Sequence, residues 1–144
     1  IMNDGSSTFG KDYRVHYSLL AFNGTVNKYA AESTGLIEED MQLFRDSIWK
    51  SISALPTRSK LNQYPKLYLE IIYNEGYYNG YFGDLRRHIE SKPKEGIQDK
   101  QVRSLKDLDL DLMNLENLIR ENMGENKPIK DVVLKKSDDI LINL

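Results

Sequence analysis

Lys66-Leu67-Tyr68-Leu69-Glu70-Ile71-Ile72-Tyr73 decides the fold class. Read in twos, Leu67, Leu69, Ile71 and Tyr73 fall on one side and Lys66, Tyr68, Glu70 and Ile72 on the other, the alternation of a β-strand. It ends at Asn74-Glu75-Gly76, a turn composition. Upstream, Ile37, Met41, Phe44, Ile48, Ile52 and Leu55 recur every three or four residues, which predicts a helix over 37–55. Glu38, Glu39 and Asp40 fill its first turn, where the helix dipole favours negative charge by about 0.3–1 kcal/mol each. Pro56 stops it. A helix running straight into a strand is the nucleus from which the rest is read.

Working outward, residues 13–22 alternate again. Tyr13, Val15, Tyr17, Leu19 and Ala21 oppose Arg14, His16, Ser18, Leu20 and Phe22, which predicts a central strand, and Asn23-Gly24 then reads as a turn. Residues 1–11, rich in Gly, Ser and Thr, read as a loop. Downstream, 77–100 is Tyr- and Gly-rich and then charged, fitting a short strand and an irregular connection. A short strand is expected near Val102 to Leu108. A second helix covers about Asp111 to Met123, packing Leu112, Leu115 and Ile119, with Gly124 placed to end it. A last strand is expected near Lys130 to Leu134, and Ile140 to Leu144 are expected to pair or fray. Helices interleaved with antiparallel strands give an α+β class, with residues 1–144 as a single domain.

Composition narrows the function classes. At 40% hydrophobic and 29% charged residues, the chain suits a folded soluble protein. No apolar run is long enough to span a membrane. The absence of cysteine removes disulfides, thiolate metal sites and a cysteine nucleophile, in keeping with a cytoplasmic setting. The net charge of −2 gives no global basic field, so any RNA-binding surface has to be a local stripe.

The stripe's best candidate is Thr57-Arg58-Ser59-Lys60, between the helix and the strand. Phosphate contacts need cations on an accessible loop, with hydroxyls to fix geometry. Arg58 and Lys60 supply the charge, and Thr57 and Ser59 the hydroxyls; the competing reading is a solvated loop with incidental charge. Lys50 extends the stripe or offsets the helix dipole. Gly5 to Lys11 is no Walker loop, since Gly10-Lys11 is followed by Asp12, but Lys11 and Arg14 suit a clamp on a backbone phosphate. His16 and His88 share no catalytic motif. Asp84 in Gly83-Asp84-Leu85 suits a turn. Asp107, Asp109 and Asp111 mimic a calcium loop, yet Leu112 stands where that loop needs glycine, so a strand end and a helix cap fit better. Tyr77, Tyr78, Tyr81 and Phe82 suit base stacking, protein contact or sheet packing. Trp49 flanks the helix stripe and reads as core or interface.

Taken in order, Gly10-Lys11-Asp12-Tyr13-Arg14-Val15, Thr34-Gly35-Leu36-Ile37-Glu38-Glu39-Asp40, Thr57 to Lys60, Gln63-Tyr64-Pro65 and Gly83-Asp84-Leu85 resemble the Cas-seven family. Its members form the backbone of type I CRISPR surveillance complexes (Cascade), and the type I-B branch is most similar. The resemblance covers roughly the first ninety residues. It implies a ferredoxin-like (RRM-type) sheet with helices on one face and insertions, incomplete here because the chain, opening on Ile1, would be the C-terminal part of a longer subunit. It also implies a non-catalytic role in antiviral defence. Copies assemble along a guide RNA (crRNA) with other Cascade subunits, gripping phosphates and leaving bases to pair with target DNA. Arg58, Lys60, Thr57, Ser59, Lys11 and Arg14 are the expected RNA contacts, with no cofactor, metal or membrane. The alternatives are a metal-independent guide-processing endoribonuclease of the same fold superfamily, and an assembly protein that touches no RNA.

Overall fold

The computed structural model describes residues 14–56 and 62–144. In chain order they form α1 (Lys28–Thr34), α2 (Glu38–Ala54), β1 (Leu67–Tyr73), β2 (Glu90–Pro93), β3 (Leu108–Asp111), α3 (Met113–Asn122) and β4 (Ile129–Lys136). Short 3-10 turns lie at Leu85–His88, Asp99–Gln101 and Leu105–Asp107. The class is α+β. Among the described residues the strands pair in twos, β1 with β4 and β2 with β3, both antiparallel.

The β1–β4 ribbon organises the molecule. Leu69 stands opposite Leu134 and Ile71 opposite Val132, with a bulge between Ile72 and Tyr73. Alternation therefore gathers Leu67, Leu69, Ile71, Val132 and Leu134 on one face, and these pack on the core. That core holds Leu105, Leu112, Leu115, Ile119, Ile129, Ile140 and Ile142. Each such side chain, once buried, contributes about 1.5–3 kcal/mol.

Local chemistry explains α3. Asp111 accepts from the Met113 N–H at 2.8 Å, satisfying a donor that the helix start leaves open. Leu115 and Ile119, one turn apart, point into the core and are 1% and 0% exposed. Past its end Gly124 takes φ +154° and its N–H reaches the Ile129 carbonyl at 3.0 Å, turning the chain into β4. Asn74 ties the same end of the ribbon: its N–H donates to Pro128, and its side chain to the Gly124 and Lys127 carbonyls.

Several expectations need correction. Within 14–22 the described residues form no strand. Tyr17 and Leu19 do pack against the core, as the alternation predicts, but Val15 is 81% exposed and no ladder partner lies alongside. No hydrogen-bonded turn forms at Asn23-Gly24. Instead an unforeseen helix, α1, starts at Asn27, whose side chain accepts from Tyr29 and Ala30, and ends at Gly35 with φ +75°. The strand expected at Val102 to Leu108 begins only at Leu108. Before it, the Asp107 carboxylate accepts from the Arg103 and Ser104 N–H groups and curls the chain into a 3-10 turn. Ile140 to Leu144 neither pair nor fray, because Ile140 and Ile142 are buried in the core.

The helices do not share one face of the ribbon. α3 lies on the face of Leu69 and Ile71, whereas α2 reaches the opposite face through Glu70 and Lys135. The stripe of α2 is also more open than its period suggests, with Phe44 48% and Leu55 72% exposed.

Candidate nucleic-acid interface

The junction between α2 and β1 carries the main expected site. Thr57, Arg58, Ser59 and Lys60 lie outside the described residues, as does Lys11. The structure describes Arg14, exposed at the start of the 14–22 segment. What it shows in detail is how the flanks of the junction are held. Leu55 closes the last turn of α2 by donating to the Ser51 carbonyl at 3.1 Å. Ser53 Oγ approaches the Gln63 carbonyl at 3.5 Å across the junction.

A charged clamp fixes α2 to the ribbon. Arg45, 5% exposed, donates from Nε and Nη2 to the two Glu70 oxygens at 2.8 and 2.7 Å, and from Nη1 to Glu38. The guanidinium fork matches a carboxylate in two parallel bonds. The Tyr68 hydroxyl adds a third donor to Glu70 at 2.7 Å. Hydrogen bonds from Arg45 hold the Glu70 carboxyl below the usual carboxylate range. Bonds to Glu70 and Glu38 push the Arg45 guanidinium higher still. Burial, then the bond to Glu70, pushes the Tyr68 hydroxyl up to about 12. On the neighbouring strand Lys135 pairs with Asp46, holding that carboxyl low. This network was not anticipated, because Arg45 and Glu70 are 25 residues apart and adopt no motif. The only hint in the sequence is Glu70, the one charge on the otherwise uncharged β1.

The other candidates fall into place. Asp84 is a turn clasp: it accepts from the Arg86 backbone and is forked by its guanidinium, which lowers the carboxyl to about 2. Arg86 also reaches the Ala21 carbonyl at 3.4 Å, pinning the N-terminal segment. Asp107 and Asp111 are backbone caps, and among the described residues no acidic or histidine cluster could hold a metal. Phe82 stacks on Tyr73 at 6.0 Å and meets Tyr81 edge-on at 5.0 Å, while Tyr77 meets Tyr81 at 5.1 Å. These rings pack on one another; Tyr78, 72% exposed, and Tyr81, 53% exposed, face solvent. His16 sits in the exposed 14–22 segment and His88 ends a 3-10 turn. Trp49 is half-buried on α2, and Lys50 is exposed one turn from Asp46.

Comparison with known proteins identifies the class. The family described as CRISPR-associated protein Cas7 matches residues 2–113. The chain belongs to this family. A curated relative from Haloferax volcanii, described as CRISPR-associated protein Cas7, is 33% identical over 105 residues, 72% of this chain. The match spans 29% of that relative's length. No solved structure matches the chain. No helix among the described residues is long and apolar enough to cross a membrane.

Proposed function

We propose that this chain is part of the guide-RNA-binding backbone subunit of a type I Cascade surveillance complex, in the I-B branch. The observation that carries the reading is the family match over residues 2–113. On this reading the subunit is non-catalytic and works in the cytoplasm. Copies line up along the crRNA beside other Cascade subunits, and target DNA is met through the guide. Arg58 and Lys60 grip phosphates with Thr57 and Ser59 as hydroxyl partners, and Lys11 and Arg14 form a second grip. The clamp supports this reading, since Arg45 and Glu70 hold the elements on either side of the junction. β1 and β4 enter a ferredoxin-like (RRM-type) sheet in the domain, with α2 on one face.

Phosphate contacts are blind to base identity. The test is binding of the chain to two unrelated single-stranded RNAs of equal length, by fluorescence anisotropy at low salt. Equal affinities support the reading; a strong preference for one sequence, or no binding to either, contradicts it.

A further inference from the structure

The sequence holds two closely matched tripeptides, Phe22-Asn23-Gly24 and Tyr78-Asn79-Gly80, and the fold treats them differently. In an Asn-Gly pair the glycine backbone nitrogen can reach the asparagine side-chain carbon, because glycine has no Cβ in the way and a permissive backbone. Two local conditions decide whether it does. The backbone must be free to bring the nitrogen onto the carbon, and the side-chain amide must not be held elsewhere. The two pairs meet in space: the Asn79 side chain donates to the Val26 carbonyl, three residues past Asn23.

Asn23 satisfies both conditions. Residues 20–30 are exposed, and among the described residues 22–25 make no backbone hydrogen bond. The Asn23 side chain has no partner among them either. Beyond its chain neighbours, nothing lies within 4 Å of the place a Gly24 Cβ would take. The span is tethered at each end, by Arg86 on the Ala21 carbonyl at 3.4 Å and by Asn79 on the Val26 carbonyl, and is open between. Asn79 satisfies neither condition. Its amide nitrogen is the one that holds Val26. The Tyr81 N–H donates to the Tyr78 carbonyl at 3.1 Å, closing a turn around Asn79-Gly80. Gly80 takes φ +86°, and its carbonyl accepts from the Gly83 N–H at 2.8 Å. A hydrogen-bonded turn with a positive-φ glycine in third place fixes where the Gly80 nitrogen points.

We infer that Asn23 is a site of self-modification by deamidation, and that the fold keeps Asn79 intact. The Gly24 nitrogen bonds to Asn23 Cγ, the bond from Cγ to Nδ2 breaks, and ammonia leaves with the Gly24 amide proton. The product is a five-membered cyclic imide. Water then opens it: cleavage at Cγ gives an aspartyl residue, and cleavage at the main-chain carbonyl gives an isoaspartyl residue. No oxidant, metal or enzyme is needed. Either product adds a carboxylate and takes the formal net charge from −2 to −3. The isoaspartyl form also routes the main chain through the side-chain carbon, lengthening the backbone between the two tethers. The same reaction at Asn79 would replace a donor with an acceptor-only carboxylate and release Val26. The inference does not depend on RNA binding.

The test incubates the whole chain in mildly alkaline buffer, folded and in concentrated urea. Peptide mapping by mass spectrometry then follows each asparagine, with aspartyl and isoaspartyl products separated by chromatography. In the folded chain Asn23 should lose its amide about tenfold or more faster than Asn79, the protection that local structure confers on a held group. In urea, where both tripeptides are unstructured, the two rates should converge. Gly24→Ala should slow the reaction at Asn23 and leave Asn79 unchanged. Three results would overturn the inference. Asn23 could stay intact in the folded chain, meaning that other residues cover it. Asn79 could react as fast as Asn23 there, meaning that the turn and the Val26 bond protect nothing. The difference could also persist in urea, meaning that local sequence and not the fold sets it.

Discussion

α2 and α3 carry similar apolar stripes and come to opposite ends. α3 buries Leu115 and Ile119 completely in the core, while α2 leaves Phe44, Ile48 and Ile52 partly in water and buries an arginine. One helix is held by apolar packing and the other by a charged seam. A helical stripe therefore announces a face that seeks an apolar partner, not one that has found it within the same set of residues.

The largest expected effect breaks the α3 side. Ile119→Ala removes a fully buried side chain and should cost about 2–5 kcal/mol by urea unfolding. Phe44→Ala on α2 should cost under about 1 kcal/mol; equal losses would erase the contrast. Next comes the seam. Arg45→Ala strands the Glu70 carboxylate in a part-buried site and should cost about 3 kcal/mol. Arg45→Met with Glu70→Gln, removing both charges, should cost markedly less. If the double variant is the worse of the two, the ion pair contributes more than its desolvation cost.

The seam also has a pH sign. Arg45 holds the folded Glu70 carboxyl below its ordinary value. Its contribution is therefore fully present above the unfolded carboxylate pKa and is lost as pH falls through the depressed folded value. Acid titration followed by limited proteolysis should release α2 while α3 remains protected; simultaneous cleavage of both would contradict a separable seam. The smallest effect expected is at the α3 start, where Asp111→Ala should cost about 1 kcal/mol in thermal unfolding.

The sequence made β1, α2 and α3 readable because each carries its own period and stop signals, whereas β4 was placed without either. Burial was not readable from the same signals. In 14–22 the alternation correctly turned Tyr17 and Leu19 inward, but a strand also needs a partner ladder, and a local pattern cannot supply one. α1 was missed although Asn27 and Gly35 are a cap and a stop, because none of its residues is buried and no stripe drew the eye. Ile140 to Leu144 were expected to pair or fray, yet the spacing of Ile140 and Ile142 suits two inward anchors. The Arg45–Glu70 clamp is a tertiary event between elements and leaves only unremarkable charges in the sequence. Of the expected RNA contacts, the residue types at the α2–β1 junction were legible as loop cations and hydroxyls, and their geometry lies outside the described residues.

The central claim is that Arg58 and Lys60 grip RNA phosphates, and the most direct measurement is the salt dependence of binding. Single-stranded RNA affinity should be titrated across a salt series for the wild-type chain and for Arg58→Ala with Lys60→Ala. If each cation displaces one counterion, the slope of log affinity against log salt should flatten by about 1.4, since each single-strand phosphate contact contributes about 0.7. An unchanged slope in the double variant would contradict the claim and move the phosphate grip elsewhere.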